Sequence, residues 1–173
     1  MKKLLSVFII ICTLTCGLAC NSIPTSYSEG VYNNNEYTND YTVLSFTLPE
    51  NYEFKSQSEL AEMDVLNDDK LVVDYHMYAV NAKTQESIII AAEFLNNDKI
   101  TASDYLERFL STIGQTAETT AITLGEDSFS AATIDNEGVM QRICTKYIDN
   151  CMLIVTISGQ SLESIEELCT YFN

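Results

Sequence analysis

An α+β domain built on one antiparallel sheet of about six or seven strands, with helices in flanking layers, is what this sequence predicts, and three observations predict it. Runs rich in β-branched and aromatic residues recur along the chain, and most are joined by links of a few residues. Links that short permit hairpins and exclude parallel crossovers. Between and after these runs the apolar spacing changes from two to about 3.6, at residues 101–113 and 161–172, which marks helices. Finally, 173 residues with 46% hydrophobic, 20% charged and a mean hydropathy of +0.01 suit a single core. The resulting order is β-α-β-β-α-β-β-β-β-α.

Tyr37 to Leu48 reads as the first strand, with Val43, Ser45 and Thr47 alternating against Leu44, Phe46 and Leu48, and Pro49 closing it. Ser56 to Asp64 reads as a short acidic helix capped by Ser56 or Ser58, with Leu60 and Met63 turned inward. Leu71–Val80 and Gln85–Leu95 are β-rich runs joined by Asn81-Ala82-Lys83-Thr84, a hairpin signature. Leu71, Val73, Tyr75, Met77 and Ala79 make one apolar face, and Ile88, Ile90, Ala92 and Phe94 make another. Bringing the two together requires paired positions whose numbers sum to an odd value, such as Val80 opposite Gln85, because a one-residue slip inverts every side chain.

Thr101 and Asp104 form a cap-like pair, after which Tyr105, Leu106, Phe109, Leu110 and Ile113 recur at helical spacing until Gly114. Strands follow at Thr119–Leu124, Phe129–Asp135, Val139–Ile148 and Cys151–Ser158, separated by Gly125-Glu-Asp, Asn136-Glu-Gly138 and Asp149-Asn150. Ser161 caps a last helix whose buried face is Leu162, Ile165, Leu168 and Phe172.

Residues 1–19 carry a different message. Lys2-Lys3, an apolar run through Ile9-Ile10-Ile11 and small residues up to Ala19 make a secretory signal, too short to span a bilayer. Gly17-Leu18-Ala19-Cys20 resembles the bacterial lipobox, which implies lipid attachment at Cys20 and a place on the outer surface of the cell membrane. Gly17 stands where that motif commonly has Leu, and plain cleavage after Ala19, giving a soluble secreted protein, is the alternative. Residues 20–34 are polar and aperiodic and read as a flexible tether of about 20 Å r.m.s. reach. Residues 35–173 are then the single folded domain.

Loss of the leader removes Lys2 and Lys3 but none of the 25 acidic residues, taking the net charge from −16 to −18. Nucleic acid is excluded as a partner, since phosphate recognition requires clustered cations. Of six cysteines, Cys12, Cys16 and Cys20 precede the domain, and Cys144, Cys151 and Cys169 lie in it. A two-residue turn at Asp149-Asn150 sets Ile148 against Cys151 and Cys144 against Val155, which separates those two sulfurs beyond disulfide reach. A bridge from Cys169 to one of them is the alternative to three free thiols.

Gly30-Val-Tyr, Tyr37-Thr-Asn39, Leu44-Ser-Phe-Thr-Leu-Pro49-Glu-Asn-Tyr52 and Ser58-Glu-Leu-Ala-Glu62 together resemble the opening of small bacterial surface lipoproteins with a PsbP-like fold. The Thr101–Leu106 and Ser164–Phe172 segments extend the resemblance to about residues 30–173. Asn51-Tyr52 departs from it where Gly-Trp is common. The resemblance implies an antiparallel sheet between helical layers and a role as an accessory subunit or binding module; the fold alone does not assign one.

Three groups invite chemistry. Asp74 and His76, the only histidine, share a strand face with Tyr78 and suggest a general-base pair for a hydrolase, although no nucleophile motif such as G-x-S-x-G accompanies them. Neighbours two apart on a strand need not hydrogen-bond, and ordinary polar residues on the second sheet face are the favoured reading of the pair. Asp64, Asn67, Asp68 and Asp69 offer oxygen ligands for calcium but lack EF-hand spacing, and a solvated turn explains them as well. Tyr27, Tyr32, Tyr37 and Tyr41 fit neither helical nor strand spacing, and two are expected to pack at the domain edge. The resulting expectation is an exported, lipid-anchored, non-catalytic binding module with no cofactor, held at the membrane by Cys20 and meeting a protein or small-molecule partner in the envelope. A hydrolase using Asp74 and His76 is the competing expectation.

Overall fold

The computed structural model describes residues 23–67, 70–95 and 100–173. In chain order the elements are β1 (Val31–Asn33), β2 (Glu36–Asn39), β3 (Leu44–Thr47), β4 (Tyr52–Phe54), α1 (Gln57–Ala61), β5 (Val65–Asn67), β6 (Lys70–Asn81), β7 (Ser87–Phe94), α2 (Ala102–Thr112), β8 (Thr120–Leu124), β9 (Asp127–Asn136), β10 (Val139–Ile148), β11 (Cys151–Gly159) and α3 (Leu162–Cys169).

The main sheet has eight strands in the order β4-β6-β7-β11-β10-β9-β8, with β5 also paired to β6. It joins two locally folded pieces. The β6–β7 hairpin is one, and the β8–β11 meander is the other; β11 returns to pair antiparallel with β7. Within the meander the Asp149-Asn150 turn has both residues in the left-handed region, at φ 45° and 65°, the backbone that two-residue hairpins favour. It sets Ile148 against Cys151 and Cys144 against Val155, as the spacing predicts. Gly125 opens the tight β8–β9 turn at φ 61°, and a Cβ there would lie 2.7 Å from the backbone of Asn173, so glycine is required twice over.

Both faces of the sheet are covered, which is why every residue of β11 is buried. Met152 and Ile154 face α2, where Tyr105, Leu106, Phe109 and Leu110 form the apolar stripe. The alternate residues Leu153, Val155 and Ile157 face α3 through Ile165 and Leu168. Thr101, Ser56 and Ser161 cap the three helices by accepting the third backbone N–H, and at Ser56 the Glu59 carboxylate completes a capping box. Leu162 departs from expectation. It sits in the first turn of α3 and is 49% exposed, whereas Phe172 reaches the core from beyond the helix, bridging to Phe46.

The segment expected to be one strand from Tyr37 to Leu48 is two. β2 and β3 pair as Tyr37 to Phe46, and with β1 they make a separate three-stranded sheet on the α3 face. Asn39 causes the break, since its side-chain oxygen accepts the N–H groups of Tyr41 (2.9 Å) and Thr42 (3.1 Å) and closes the turn.

The β6–β7 register also differs, in a way that matters for the site. From Met77 to Val80 the pairs sum to an odd number, as expected, but Val80 meets Ser87 instead of Gln85. At His76 the ladder slips by one, and Tyr75, Asp74 and Val73 meet Ala91, Ala92 and Glu93. This β-bulge inverts the pleat. Met77 and Ala79 therefore join the α3-side core, while Val73 and Tyr75 turn to the α1 side against Leu60. The single apolar face expected for Leu71 to Ala79 does not exist.

Candidate functional site

Because of that bulge, Asp74 and His76 do not lie on an outer face with Tyr78. They are 4% and 1% exposed, and Tyr78 packs with the α1-side cluster. Around them converge side chains from three other parts of the chain: Tyr37 and Asn39 of β2, Tyr32 of β1, and Tyr27, which precedes β1.

The Tyr27 hydroxyl is the hub, donating to Asp74 Oδ2 and meeting His76 Nε2. His76 Nε2 and Asp74 Oδ2 are themselves 3.7 Å apart. On the other side of the ring, Asn39 Nδ2 and the Tyr37 hydroxyl each lie 3.4 Å from His76 Nδ1. With the Tyr27 proton given to Asp74, the ring proton is assigned to Nε2, toward the phenol oxygen; Nδ1 keeps only the two 3.4 Å contacts, because the Asn39 amide protons go to the Ser28 carbonyl and, at 3.0 Å, to the Tyr37 oxygen. Tyr32 donates to the His76 carbonyl at 2.7 Å, fixing the bulged backbone. The Tyr27 ring packs edge-on against Phe94, Tyr41 and His76, with centroids 4.9, 5.4 and 5.5 Å away.

Two further bonds hold the chain on either side of the hub. Asn39 Nδ2 donates to the Ser28 carbonyl at 2.8 Å, and the Tyr37 hydroxyl donates to the Glu29 carbonyl at 2.9 Å. Gly30 then turns at φ 86°, where a Cβ would press into the Tyr37 ring at 2.8 Å. Residues 27–34 are thus packed on the domain, which corrects their reading as free spacer and their omission from a domain begun at residue 35.

Burial sets the protonation of the group. It lowers the His76 pKa to about 4, so the imidazole is neutral at pH 7. Burial raises the Asp74 carboxyl, partly opposed by the Tyr27 hydrogen bond, and raises the Tyr27 phenol well above its ordinary range. Cys151 packs beside Tyr27 and Phe94, and burial pushes its thiol up to about 12, which keeps it protonated. As arranged, the cluster holds a phenol in place; Tyr27 occupies the position from which the imidazole would reach a substrate proton.

The solution structure of cyanobacterial PsbP (CyanoP) from Synechocystis sp. PCC 6803 superposes on this chain with a TM-score of 0.51 at 13% identity, covering 88% of this chain and 96% of that one. The fold is PsbP-like. A crystal structure of a Bacteroides thetaiotaomicron protein aligns with a TM-score of 0.41 at 12% identity, over 80% of this chain and 47% of that one. No family model matches the sequence, and no curated protein matches it.

Elsewhere in the PsbP-like domain, Asp64 accepts the Tyr75 N–H at 2.9 Å, so the first of the four candidate calcium ligands serves the backbone of β6. Asp68, Asp69 and the Asn67 side chain lie outside what is described, as do Cys20 and the leader. No group of three or more His, Cys, Asp or Glu suited to a metal occurs among the described residues. Cys144, Cys151 and Cys169 are free thiols, and Cys169 accepts a hydrogen bond from Arg142 Nη1 at 3.6 Å.

Tyr27, Tyr32, Tyr37 and Tyr41, two of which are expected at the domain edge from their spacing, all gather here, Tyr41 donating to the Ile148 carbonyl at 3.2 Å. Sequence reasoning missed Tyr27 and Asn39 as partners of His76, because no local pattern relates positions so far apart in the chain. It also missed Glu93, buried at 4% on the α2 face, where it accepts the Tyr105 hydroxyl. One carboxylate within Ile88–Phe94 was the available signal for it.

Proposed function

We propose that this protein is exported, anchored by lipid at Cys20 on the outer face of the membrane, and acts there as a non-catalytic binding or accessory module. One observation supports the non-catalytic part. The only Asp–His pair suggestive of catalysis is sealed beneath Tyr27, its imidazole and carboxylate both engaged by the phenol. The lipobox-like Gly17–Cys20 and the signal-like residues 1–19 support the anchor. With Tyr27 pinned to the domain, the chain from Cys20 to that point spans at most about 25 Å, which keeps the domain close to the lipid surface. The net charge of −18 after leader loss gives no attraction to anionic headgroups, so the anchor alone supplies membrane affinity.

The experiment is an in-cell cross-link of the tagged protein with and without Cys20→Ser, followed by identification of near-stoichiometric partners and an intact mass of the native chain. A diacylated Cys20 start and a partner lost with Cys20→Ser are expected. An unmodified chain removes the anchor, and loss of a measurable hydrolytic activity in His76→Ala would replace the module by an enzyme.

A further inference from the structure

Asp74 and His76 are an ionisable pair turned into the protein by a β-bulge. Among the described residues the one hydrogen-bond donor to Asp74 is Tyr27. That residue belongs to neither sheet, and the segment carrying it lies on the surface, with Ser26, Ser28 and Glu29 exposed. Beyond the Tyr27 side chain, the segment is held to the domain before β1 chiefly through the carbonyls of Ser28 and Glu29. Lifting it would break few bonds and would open a slot walled by Tyr41, Phe94 and His76, with a carboxylate and an imidazole N–H at its floor. A bulge that re-aims two polar side chains into such a slot is a feature of binding sites more than of cores. The donor set is specific: a carboxylate accepting an O–H and an imidazole N–H giving to the same oxygen, between aromatic edges, fit a phenol.

We propose that the Asp74–His76 slot is a phenol-binding site, filled at rest by the chain's own Tyr27, and that an external phenol takes the same seat when the Tyr27 segment lifts. The proposal deepens the binding-module reading by naming its ligand chemistry, and it rests on that reading. Occupancy in cis competes at the millimolar effective concentration of a short tether, so the wild-type site is masked. The phenol comes either as a free aromatic alcohol or as a tyrosyl side chain on an extended peptide.

The test uses the full chain carrying Tyr27→Ala, titrated with p-cresol, toluene and the peptide acetyl-Ser-Tyr-Ser-Glu-Gly-amide by calorimetry. The expected result is saturable p-cresol binding at least tenfold tighter than to wild type and tenfold tighter than toluene, and weakened at least tenfold by adding Asp74→Asn. Tighter binding of the peptide than of p-cresol identifies a tyrosyl segment as the source, and the reverse identifies a free phenol. Equal affinity for toluene and p-cresol, or no saturable binding, overturns the proposal. If Tyr27→Ala does not fold, Tyr27→Phe serves: amide exchange at position 27 should quicken at least tenfold, and further with p-cresol, while β11 is unchanged. Wild-type exchange rates at that position would overturn it. Partner capture by the wild-type chain reports on the module reading alone, so the two can fail separately.

Discussion

The Tyr27 hydroxyl donates to the Asp74 carboxylate across 47 positions of sequence, tying the segment ahead of the first strand to the interior of β6. Removing that hydroxyl while keeping the ring strands a buried carboxylate and an imidazole N–H. Tyr27→Phe is therefore expected to cost about 1–3 kcal/mol in urea denaturation, the range for a buried group deprived of its partner. A change within error of zero would mean that the bond contributes nothing.

Stability should depend on pH through two opposed effects. His76 titrates near 4 in the folded chain against 6.5 when free, so between those values the unfolded chain holds a proton that the folded chain lacks. Its contribution is whole above pH 6.5, drains as pH falls, and levels off below about 4, amounting to roughly 3 kcal/mol at most. Asp74 and Glu93 act the other way, because burial raises their carboxyls and their stability contribution is lost as pH rises from about 3.8–4.5 through the raised values. His76→Gln should flatten the acid limb of a stability profile taken from pH 4 to 8, and Asp74→Asn should flatten the opposing slope. Parallel profiles for wild type and His76→Gln would refute the assignment of the neutral imidazole.

Val43 offers a stabilising change. It is a β-branched residue at φ 55° in the turn between β2 and β3, and it is 76% exposed, so it bears left-handed strain with little burial in return. Val43→Gly should raise stability by about 1 kcal/mol, since the relief of roughly 1–2 kcal/mol outweighs the entropy that glycine adds to the unfolded chain. Thermal melts decide it, a lowered midpoint being the contrary result.

Two leucines at equivalent sequence-level expectation should respond differently. Leu106 is fully buried between α2 and the sheet, and Leu106→Ala should cost about 2–5 kcal/mol. Leu162, 49% exposed at the start of α3, should cost under about 1 kcal/mol on truncation. Equal losses would place Leu162 in the core after all.

Periodicity and turn chemistry determined much of this protein without tertiary information. Alternation and short links specified an antiparallel sheet, the Asp149-Asn150 turn specified the β10–β11 register to the residue, and Thr101 and Ser161 specified where helices begin. Those features depend on neighbours within a few positions, where backbone sterics and local hydrogen bonds act. The site was not legible in this way. Asp74 and His76 read as an outer-face pair because alternation was carried unbroken through β6, and nothing local announces the bulge at His76. Only the packed structure decides it: the one-residue slip lets both side chains meet Tyr27, Tyr37 and Asn39, whose hydrogen bonds offset the cost of burying them. The same long-range contacts draw residues 27–34 onto the domain, because a polar segment with no periodicity becomes ordered when a single aromatic side chain finds a slot that fits it.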